Sequence, residues 1–544
     1  MIKQIIHKYD WLFVFGLFLI VEVIINPIGE FSLNDDWAYS KTIYDYLNTG
    51  NIKFSYWQGF PDLPRFLISA SICKVFGFSF TVLRFITLAT FTAAFYVFYR
   101  NLKLLEFNSS IRLPLLFLFT FNPLTVYLSN TYLSDIFQLL LTLISFQFIV
   151  LYFKSRQLNY LIIFTIISCL ATLNRQISLT VPLIYTFVYY FNTEKDKRNI
   201  VIGLMPFISN CILLWMYEFF AKSNQLLPGN YYLQLNNILS TVTHPSLMTL
   251  KKIAYYFITS TICLGLFILP LTISNFQIHL KQLKQSRFYI MSFCIYLFIV
   301  LLKLILSKNP LPFVGNIFYH CGVGPVILTG YNTDEIIPLS SLTKFSYICL
   351  NFIGGISFIS ALLTVILKHR HSNNNVTKVA LSFFILLLLI YLIPLCFGYA
   401  NDRYLLLLIP FFYLAYSLSI ESALVSKLFW ITLLPLIYFS FASNYNYISI
   451  NRAKASAANH LLNELNIKPN QIDGGFEFNG WHLAESGKNY FPDHVGRWWW
   501  IDKDDYIIST VNRNNYTIES EYSFSTLPPY TYNKIFVLKK DSIN

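Results

Sequence analysis

The chain has 544 residues, of which 55% are hydrophobic and only 12% are charged, and its mean hydropathy is +0.51. This composition excludes a string of soluble domains and predicts a membrane protein, because a helix needs about 20 apolar residues to cross the hydrocarbon. The net charge of +13 does not indicate a nucleic-acid partner, since the excess Lys and Arg lie in short loops between apolar runs.

The apolar runs predict about 13 transmembrane helices. No small-residue cleavage site follows the first run, so we expect a retained span there and not a signal peptide. The predicted spans fall near residues 11–27, 79–99, 113–129, 133–152, 158–173, 177–192, 199–218, 252–274, 288–306, 345–367, 378–397, 404–420 and 428–442. The predicted fold class is an all-α polytopic membrane domain, residues 1–442, followed by a small α/β domain, residues 443–544.

The charges of the loops predict the orientation. Loops that would share the N-terminal side are rich in Lys and Arg and poor in Asp and Glu, whereas the opposite loops are balanced. An excess of Lys and Arg marks the cytoplasmic side. We therefore expect a cytoplasmic N-terminus. The bias towards Ile, Asn, Lys, Phe and Tyr is typical of an AT-rich bacterium, so the expected location is a bacterial plasma membrane. The long loops 28–78, 219–251 and 307–344, together with the C-terminal domain, would lie outside.

The first long loop is predicted to contain two helices on the membrane surface. Asn34 is a good N-cap for the first helix, which would end at Gly50. A second amphipathic stretch runs from Phe66 to Val75 and is closed by Gly77. The loop is therefore expected to be an ordered part of the protein.

Adjacent carboxylates, Asp35 and Asp36, stand at the start of this first surface helix. Carboxylates beside a bilayer are costly to desolvate and tend to mark function. One interpretation is helix capping alone; the other is a general base with a second carboxylate that binds acceptor, donor or metal. Asp135 precedes the fourth predicted span on the same side, so it can join them or cap its own helix.

Three arginines are predicted on this outer side: Arg175 in a tight turn, Arg403 at the end of a span, and Arg65 in the first long loop. Each alone is often an interfacial anchor. Several arginines opposite carboxylates favour a phosphate site, because arginine binds phosphate bidentately. No nucleotide-binding or zinc-protease motif is present, and a divalent metal is possible but not indicated.

The C-terminal domain is expected to begin with a helix over residues 452–465. Strand-like runs follow at residues 472–478, 506–511, 516–524 and 534–538. Aromatic residues such as Trp57 and Trp498-Trp499-Trp500 are either interfacial anchors or surfaces for a sugar or a lipid.

The order of the acidic and basic residues along the chain, and the side of the membrane on which they fall, resemble those of the GT-C fold glycosyltransferases. The resemblance is in particular to the protein O-mannosyltransferases and the lipid A aminoarabinose transferases. The matching positions are the acidic pair Asp35-Asp36, the aromatic Tyr39 one turn on, Asp135, the basic turn with Arg175, and Arg403-Tyr404. The aminoarabinose transferases have a basic residue directly after the acidic pair and a Lys-Pro-Pro further on; here these places read Trp37-Ala38 and Leu63-Pro64-Arg65.

The resemblance implies a sugar donor on a polyprenyl phosphate and an extracytoplasmic acceptor. Our hypothesis for the mechanism is a single inverting displacement. Asp35 would be the base. Asp36 or Asp135, with Trp37 and Tyr39, would orient the acceptor or sugar. Arg175, Arg403 and Arg65 would hold the donor phosphate. The alternatives are a transporter or flippase of lipid-linked sugars, and a membrane sensor or scaffold with an outer ligand-binding domain.

Overall fold

The computed structural model describes residues 9–193, 196–307, 310–318, 341–398, 400–420, 425–484, 500–501, 503–530 and 533–541. Most of the third long loop, and Trp498 and Trp499, therefore lie outside the described residues. The described chain is a helical bundle that carries a small sheet at its C-terminal end.

The helices are numbered in chain order. They are α1 (Asp10–Ile25), α2 (Asp36–Thr49), α3 (Leu63–Phe76), α4 (Phe80–Leu104), α5 (Ser109–Thr120), α6 (Pro123–Ser129), α7 (Asp135–Ser155), α8 (Leu158–Asn174), α9 (Thr180–Asn192), α10 (Lys197–Ser223), α11 (Gly229–Thr243), α12 (Leu247–Ser274), α13 (Phe276–Gln285), α14 (Arg287–Leu306), α15 (Ser341–His371), α16 (Asn375–Ile390), α17 (Leu392–Phe397), α18 (Ile409–Ser419), α19 (Lys427–Asn459) and α20 (Phe476–Leu483). Short 3-10 turns cover Gln176–Leu179, Asp402–Leu407 and Pro469–Gln471, and a π-turn, His460–Glu464, extends α19.

Eight described helices or helix pairs are long and apolar enough to cross a membrane, or nine if the bent pair α5–α6 counts as one span. The chain is thus a multi-pass membrane protein. The other four predicted spans are shorter in the structure: α1 has 16 residues, α8 has 17, α9 has 13 and α18 has 11, which is at or below the lower end of the usual length of a span. The count of thirteen stays a prediction.

Close packing of α12 on α15 shows how the bundle is held. A Cβ atom on Gly265 would lie 1.8 Å from the carbonyl oxygen of Gly354. Only glycine allows this approach of two backbones, and small residues at helix contacts are typical of membrane bundles, where apolar side chains gain little over lipid.

The first long loop contains the two expected helices, α2 and α3, with one difference at the start. Asp35 occupies the N-cap position, and α2 begins at Asp36. Asn34 was predicted as the N-cap; instead it has a left-handed φ of 57°, and its side chain accepts the N–H of Asp35 and donates to Asn316 Oδ1. The helix ends at Gly50, whose φ of 73° stops it as predicted.

The C-terminal sheet has four strands in the order β1-β2-β4-β3, with β1 (Ile472–Asp473) parallel to β2 (Tyr506–Ser509). β3 (Tyr516–Ser523) and β4 (Lys534–Lys540) complete it as antiparallel strands. The predicted strand 472–478 is wrong after Asp473. Gly475, with a φ of 86°, turns the chain into α20.

Helix α19 joins the bundle to the sheet without a break. Its last turns bury Ala457 and Leu461 against Ile472, Ile508 and Val537 of the sheet. The helix predicted over 452–465 is therefore the end of α19 and its π-turn. The domain boundary at residue 442 stays a prediction, and it lies inside this one helix.

Candidate active site

Asp35 has both carboxylate oxygens in contact with donors. Its Oδ1 accepts a hydrogen bond from the Trp57 indole Nε1 at 2.8 Å, and its Oδ2 lies 2.8 Å from Arg403 Nη1. The Asp35 side chain is 15% exposed, whereas Asp36 is fully buried. Asp35 is therefore the member of the acidic pair that a substrate can reach.

Arg403 lies in a 3-10 turn that is anchored by its neighbour Asp402. The carboxylate of Asp402 accepts the backbone N–H groups of Ile317 at 3.0 Å and Phe318 at 2.7 Å. The Arg403 side chain is 10% exposed. Its Nε has no hydrogen-bond partner within the described part of the chain. Because Nε is itself buried, a further anion beside Asp35 can contact only the exposed tenth of the side chain.

A second ion pair joins Asp135, the first residue of α7, to Arg175, which follows α8. Arg175 Nη1 lies 2.6 Å from Asp135 Oδ1. The ring of Tyr404 links the two pairs, because its centroid is 4.7 Å from the guanidinium carbon of Arg175 and 5.4 Å from that of Arg403. We call Asp35, Arg403, Tyr404, Arg175 and Asp135 the ion-pair cluster.

Tyr39 lies beside this cluster, one helical turn after Asp35. Burial raises the pKa of Tyr39 to about 12, assisted by the charge of Asp62 and opposed by Arg403, Arg175 and Arg65. Its hydroxyl therefore keeps its proton near neutral pH and can donate a hydrogen bond. Thus the structure brings together five residues that the sequence predicted for the site: Asp35, Tyr39, Asp135, Arg175 and Arg403.

Asp36 does not reach this site. Its Oδ1 accepts the N–H of Leu33 at 2.7 Å and its Oδ2 that of Tyr132 at 3.3 Å. Burial raises the pKa of Asp36 to about 7, against the opposing effect of Arg84 and of these two N–H donors. The expected contact of Asp36 with an acceptor is not supported, because its carboxyl fastens the first loop to the segment before α7.

Asp36→Asn is expected to change how thermal stability depends on pH. Folded Asp36 has a pKa of about 7, whereas an unfolded aspartate has a pKa of about 4. Because the folded value is higher, the group stabilises the fold fully below about pH 4, and this contribution is lost as pH rises to about 7. Melting temperatures of both proteins are measured in detergent across this pH range. The wild-type value minus the Asp36→Asn value should fall from about pH 4 to about pH 7 and then level off.

The control for this experiment is Asp45→Asn, at a partly exposed carboxylate on the same helix that pairs with Lys41 at 3.5 Å. The melting temperature of Asp45→Asn should depend on pH in the same way as that of the wild type. If the Asp36→Asn curve ran parallel to the wild type from pH 4 to 7, the assigned titration would be wrong.

Arg65 is also separate from the ion-pair cluster. Its guanidinium forms an ion pair with Asp62 and donates to the carbonyl oxygen of Tyr132 at 3.0 Å. The rings of Tyr39 and Tyr132 lie 4.5 and 4.2 Å from its guanidinium carbon. Arg65 is only 4% exposed, so the structure does not support its predicted contact with a donor phosphate.

Trp37, predicted to orient acceptor or sugar, is fully buried in an aromatic cluster formed with Trp57, Phe476 and Trp500. Trp500 lies 5.4 Å from Trp37 and 5.3 Å from Trp57, centroid to centroid. This aromatic cluster packs the C-terminal segment against the indole that binds Asp35. Trp37 therefore packs against Trp57, which binds Asp35, but does not itself line the site.

Gly480→Ala is expected to loosen this packing. A Cβ on Gly480 would lie 2.4 Å from Cε2 of Trp37, and overpacking of this kind costs about 1–3 kcal/mol. Thermal unfolding followed by tryptophan fluorescence should show a lower midpoint. Gly16→Ala is the control, since nothing lies within 4 Å of a Cβ there. Equal unfolding midpoints for Gly480→Ala and Gly16→Ala would contradict the close packing of Gly480 against Trp37.

Glu477 of α20 was not foreseen from the sequence. Its Oε1 accepts the backbone N–H of Asn34 at 3.3 Å, a contact between residues 443 apart in the chain. Burial raises the pKa of Glu477, and the charge of Lys454 opposes the rise. The C-terminal segment thus holds the residue that precedes Asp35, and no local pattern could have revealed this contact.

Arg84, near the start of α4, has a structural role. It donates to the backbone carbonyl oxygens of Pro27 at 2.8 Å, Gly29 at 2.9 Å and Phe31. These bonds fix the chain just before the acidic pair. Within the described ranges, no group of three or more His, Cys, Asp or Glu side chains is placed to hold a metal ion.

The fold and the site define a multi-pass membrane protein whose carboxylates and arginines meet at the end of the bundle that carries the C-terminal sheet. No protein-family model matches the chain, and no curated protein matches it.

Solved structures do show a likeness. One is the archaeal oligosaccharyltransferase AglB from Archaeoglobus fulgidus, in complex with an inhibitory peptide and a dolichol-phosphate. The likeness has 13% identity and a TM-score of 0.43, and covers 84% of this chain and 58% of that one. Another is ArnT from Cupriavidus metallidurans in the apo state, at 11% identity and a TM-score of 0.33, covering 85% of this chain and 83% of that one. Both are GT-C glycosyltransferases, the family that the sequence resembles. The likeness is remote, and the proposal below is carried by the site.

Proposed function

We propose that the chain is an integral membrane glycosyltransferase that moves a sugar from a polyprenyl-phosphate donor to a hydroxyl group of an extracytoplasmic acceptor. The observation that carries the proposal is the partly exposed Asp35 beside Arg403, with the Arg175–Asp135 pair next to them. Displacement of a phosphate requires a base for the incoming hydroxyl and cations for the outgoing anion, and the ion-pair cluster supplies both.

Asp35 is the general base. Trp57 and Arg403 fix the orientation of its carboxylate, and each carboxylate oxygen keeps a second lone pair for a further donor. The acceptor hydroxyl donates its hydrogen bond to Asp35. As the acceptor oxygen attacks the anomeric carbon, its proton passes to the carboxylate.

Arg403, assisted by Arg175, binds the donor phosphate. The bond between the anomeric carbon and the phosphate oxygen breaks on the side opposite to the attack, so the configuration inverts. The bonding electrons leave with the polyprenyl phosphate, and the guanidinium groups stabilise the charge that develops on it. The phenol of Tyr39 is a further donor for the sugar or the phosphate.

Asp36, Trp37 and Arg65 support the site instead of contacting substrate. Asp36 holds α2, Trp37 packs against the C-terminal segment, and Arg65 joins α3 to the segment before α7. Asp135 keeps Arg175 in place. Within the cluster, each arginine has its own carboxylate, which fixes the two cations at a set separation when no phosphate is bound.

In this proposal the cluster and the C-terminal sheet lie outside a bacterial plasma membrane, and the N-terminus lies inside. The loop charges support this orientation. The lipid part of the donor stays in the bilayer while its phosphate reaches the arginines at the surface. Residues 443–544 form an extracytoplasmic domain that covers the first long loop.

The test uses purified full-length protein with a panel of polyprenyl-phosphate sugars and candidate acceptors, and mass spectrometry identifies the product. A product heavier by one sugar residue, with release of polyprenyl phosphate, is expected. Movement of labelled lipid-linked sugar across vesicles without any new glycosidic bond would contradict the proposal and indicate a transporter.

A further inference from the structure

A cleft of about 300 Å³ lies between the end of α19, helix α20, the start of α4 and the loop before α2. We propose that this cleft binds an uncharged saccharide unit of the acceptor. The inference rests on the proposed function and extends it, since the cleft lies outside the ion-pair cluster. Its volume is at the lower end of the range for ligand pockets.

The two carboxylates that line the cleft, Glu30 and Glu477, are already held by donors of the protein. Glu30 accepts hydrogen bonds from Ser79 Oγ at 2.5 Å, the Phe80 N–H at 2.9 Å and Thr81 Oγ1 at 3.0 Å, at the N-terminus of α4. Glu477 is bound to Asn34 and Tyr447 and feels the charge of Lys454. Both carboxylates are thus engaged and would repel an anion, which favours a neutral ligand over an anionic one.

The remaining walls combine rings and amides. Phe478 and Trp481 form apolar walls, and Asn451, Asn459 and Asn463 line the α19 side. Asn459 and Asn463 are exposed at the rim. The C–H faces of a sugar pack on aromatic rings, while its hydroxyls exchange hydrogen bonds with amides, which both donate and accept. This combination suits a saccharide better than a lipid tail.

A direct chain of contacts leads from the cleft to the base. Glu477 lines the cleft and accepts the N–H of Asn34, and the side chain of Asn34 accepts the N–H of Asp35 at 2.8 Å. A saccharide in the cleft therefore lies against the same segment that presents Asp35. A longer acceptor can be held here while another of its sugars is glycosylated.

The test measures binding separately from catalysis. Saturation-transfer NMR with maltotetraose, cellotetraose and chitotetraose as probes is run on the wild type and on Asp35→Asn. At least one probe should bind both proteins equally. Ala455→Trp, which fills the cleft, should weaken binding by at least about tenfold. Ser456→Trp, at the exposed next position outside the cleft, should leave binding unchanged.

The double variant Asn459→Ala/Asn463→Ala, at exposed positions, provides a second test if Ala455→Trp does not fold; it should weaken binding in the same direction. Absence of binding by every probe, or binding that survives both cleft variants, would overturn the inference. Competition by phospholipid head groups instead of sugars would also overturn it. Saccharide binding to a protein that transfers no sugar would instead contradict the proposed function and leave the cleft assignment intact.

Discussion

Asp35→Asn is expected to lower the rate of sugar transfer by about 10²–10⁴-fold, the usual contribution of a general base. Asparagine has nearly the same shape, and its amide oxygen can still accept from Trp57 Nε1. It cannot take the proton of the acceptor hydroxyl, and it carries no charge to pair with Arg403. Because the loss is in proton transfer, kcat should fall while the KM for the donor changes little.

The matched control for the base is Asp45→Asn. Asp45 lies on the same helix α2, in a partly exposed ion pair with Lys41, and ion pairs at the surface contribute little. Its activity should equal that of the wild type. If Asp35→Asn kept full activity at normal expression and with an unchanged melting temperature, Asp35 would not be the general base.

Arg403→Lys is expected to lower kcat/KM for the donor by about 10²–10³-fold, although the positive charge is retained. Lysine offers a point charge, whereas the planar guanidinium can contact Asp35 and a phosphate at the same time. Loss of one donor aimed at a developing anion typically costs this much. Steady-state kinetics with a polyprenyl-phosphate sugar and a fixed acceptor will measure it.

Arg112→Lys is the matched control for Arg403. Arg112 also pairs with a buried carboxylate, Asp10, at 2.9 Å, and its side chain is 14% exposed compared with 10% for Arg403. It lies at the far end of α1 from the acidic pair, so its conservative replacement should leave kinetics unchanged. Equal, small effects of both substitutions would mean that Arg403 has only a structural role.

The sequence predicted the residues of the ion-pair cluster because sidedness is a strong constraint in a membrane protein. The loop charges place four of these residues at one end of the bundle: Asp35, Asp135, Arg175 and Arg403. Because the area of that end is limited, the four side chains are expected to lie close together. The surface helices α2 and α3 were also predictable, since periodicity and the glycines at 50 and 77 are local patterns.

Other features depended on contacts that are distant in sequence. The adjacent Asp35 and Asp36 have the same local pattern, yet Tyr132 buries one of them while Trp57 and Arg403 leave the other partly exposed. Asp62, three residues before Arg65, was overlooked, although its ion pair removes Arg65 from the site. The strand predicted through residue 478 failed because Gly475 turns the chain.

The unbroken course of α19 has a consequence for how the protein meets its acceptors. At 1.5 Å per residue, its 33 residues extend for roughly 50 Å. The same helix begins as a membrane span and ends as a wall of the cleft. If the cleft binds the acceptor as proposed, the fixed length of α19 sets the distance between the membrane and the bound sugar, so acceptors would be selected by how far their sugars stand above the lipid as well as by their chemistry.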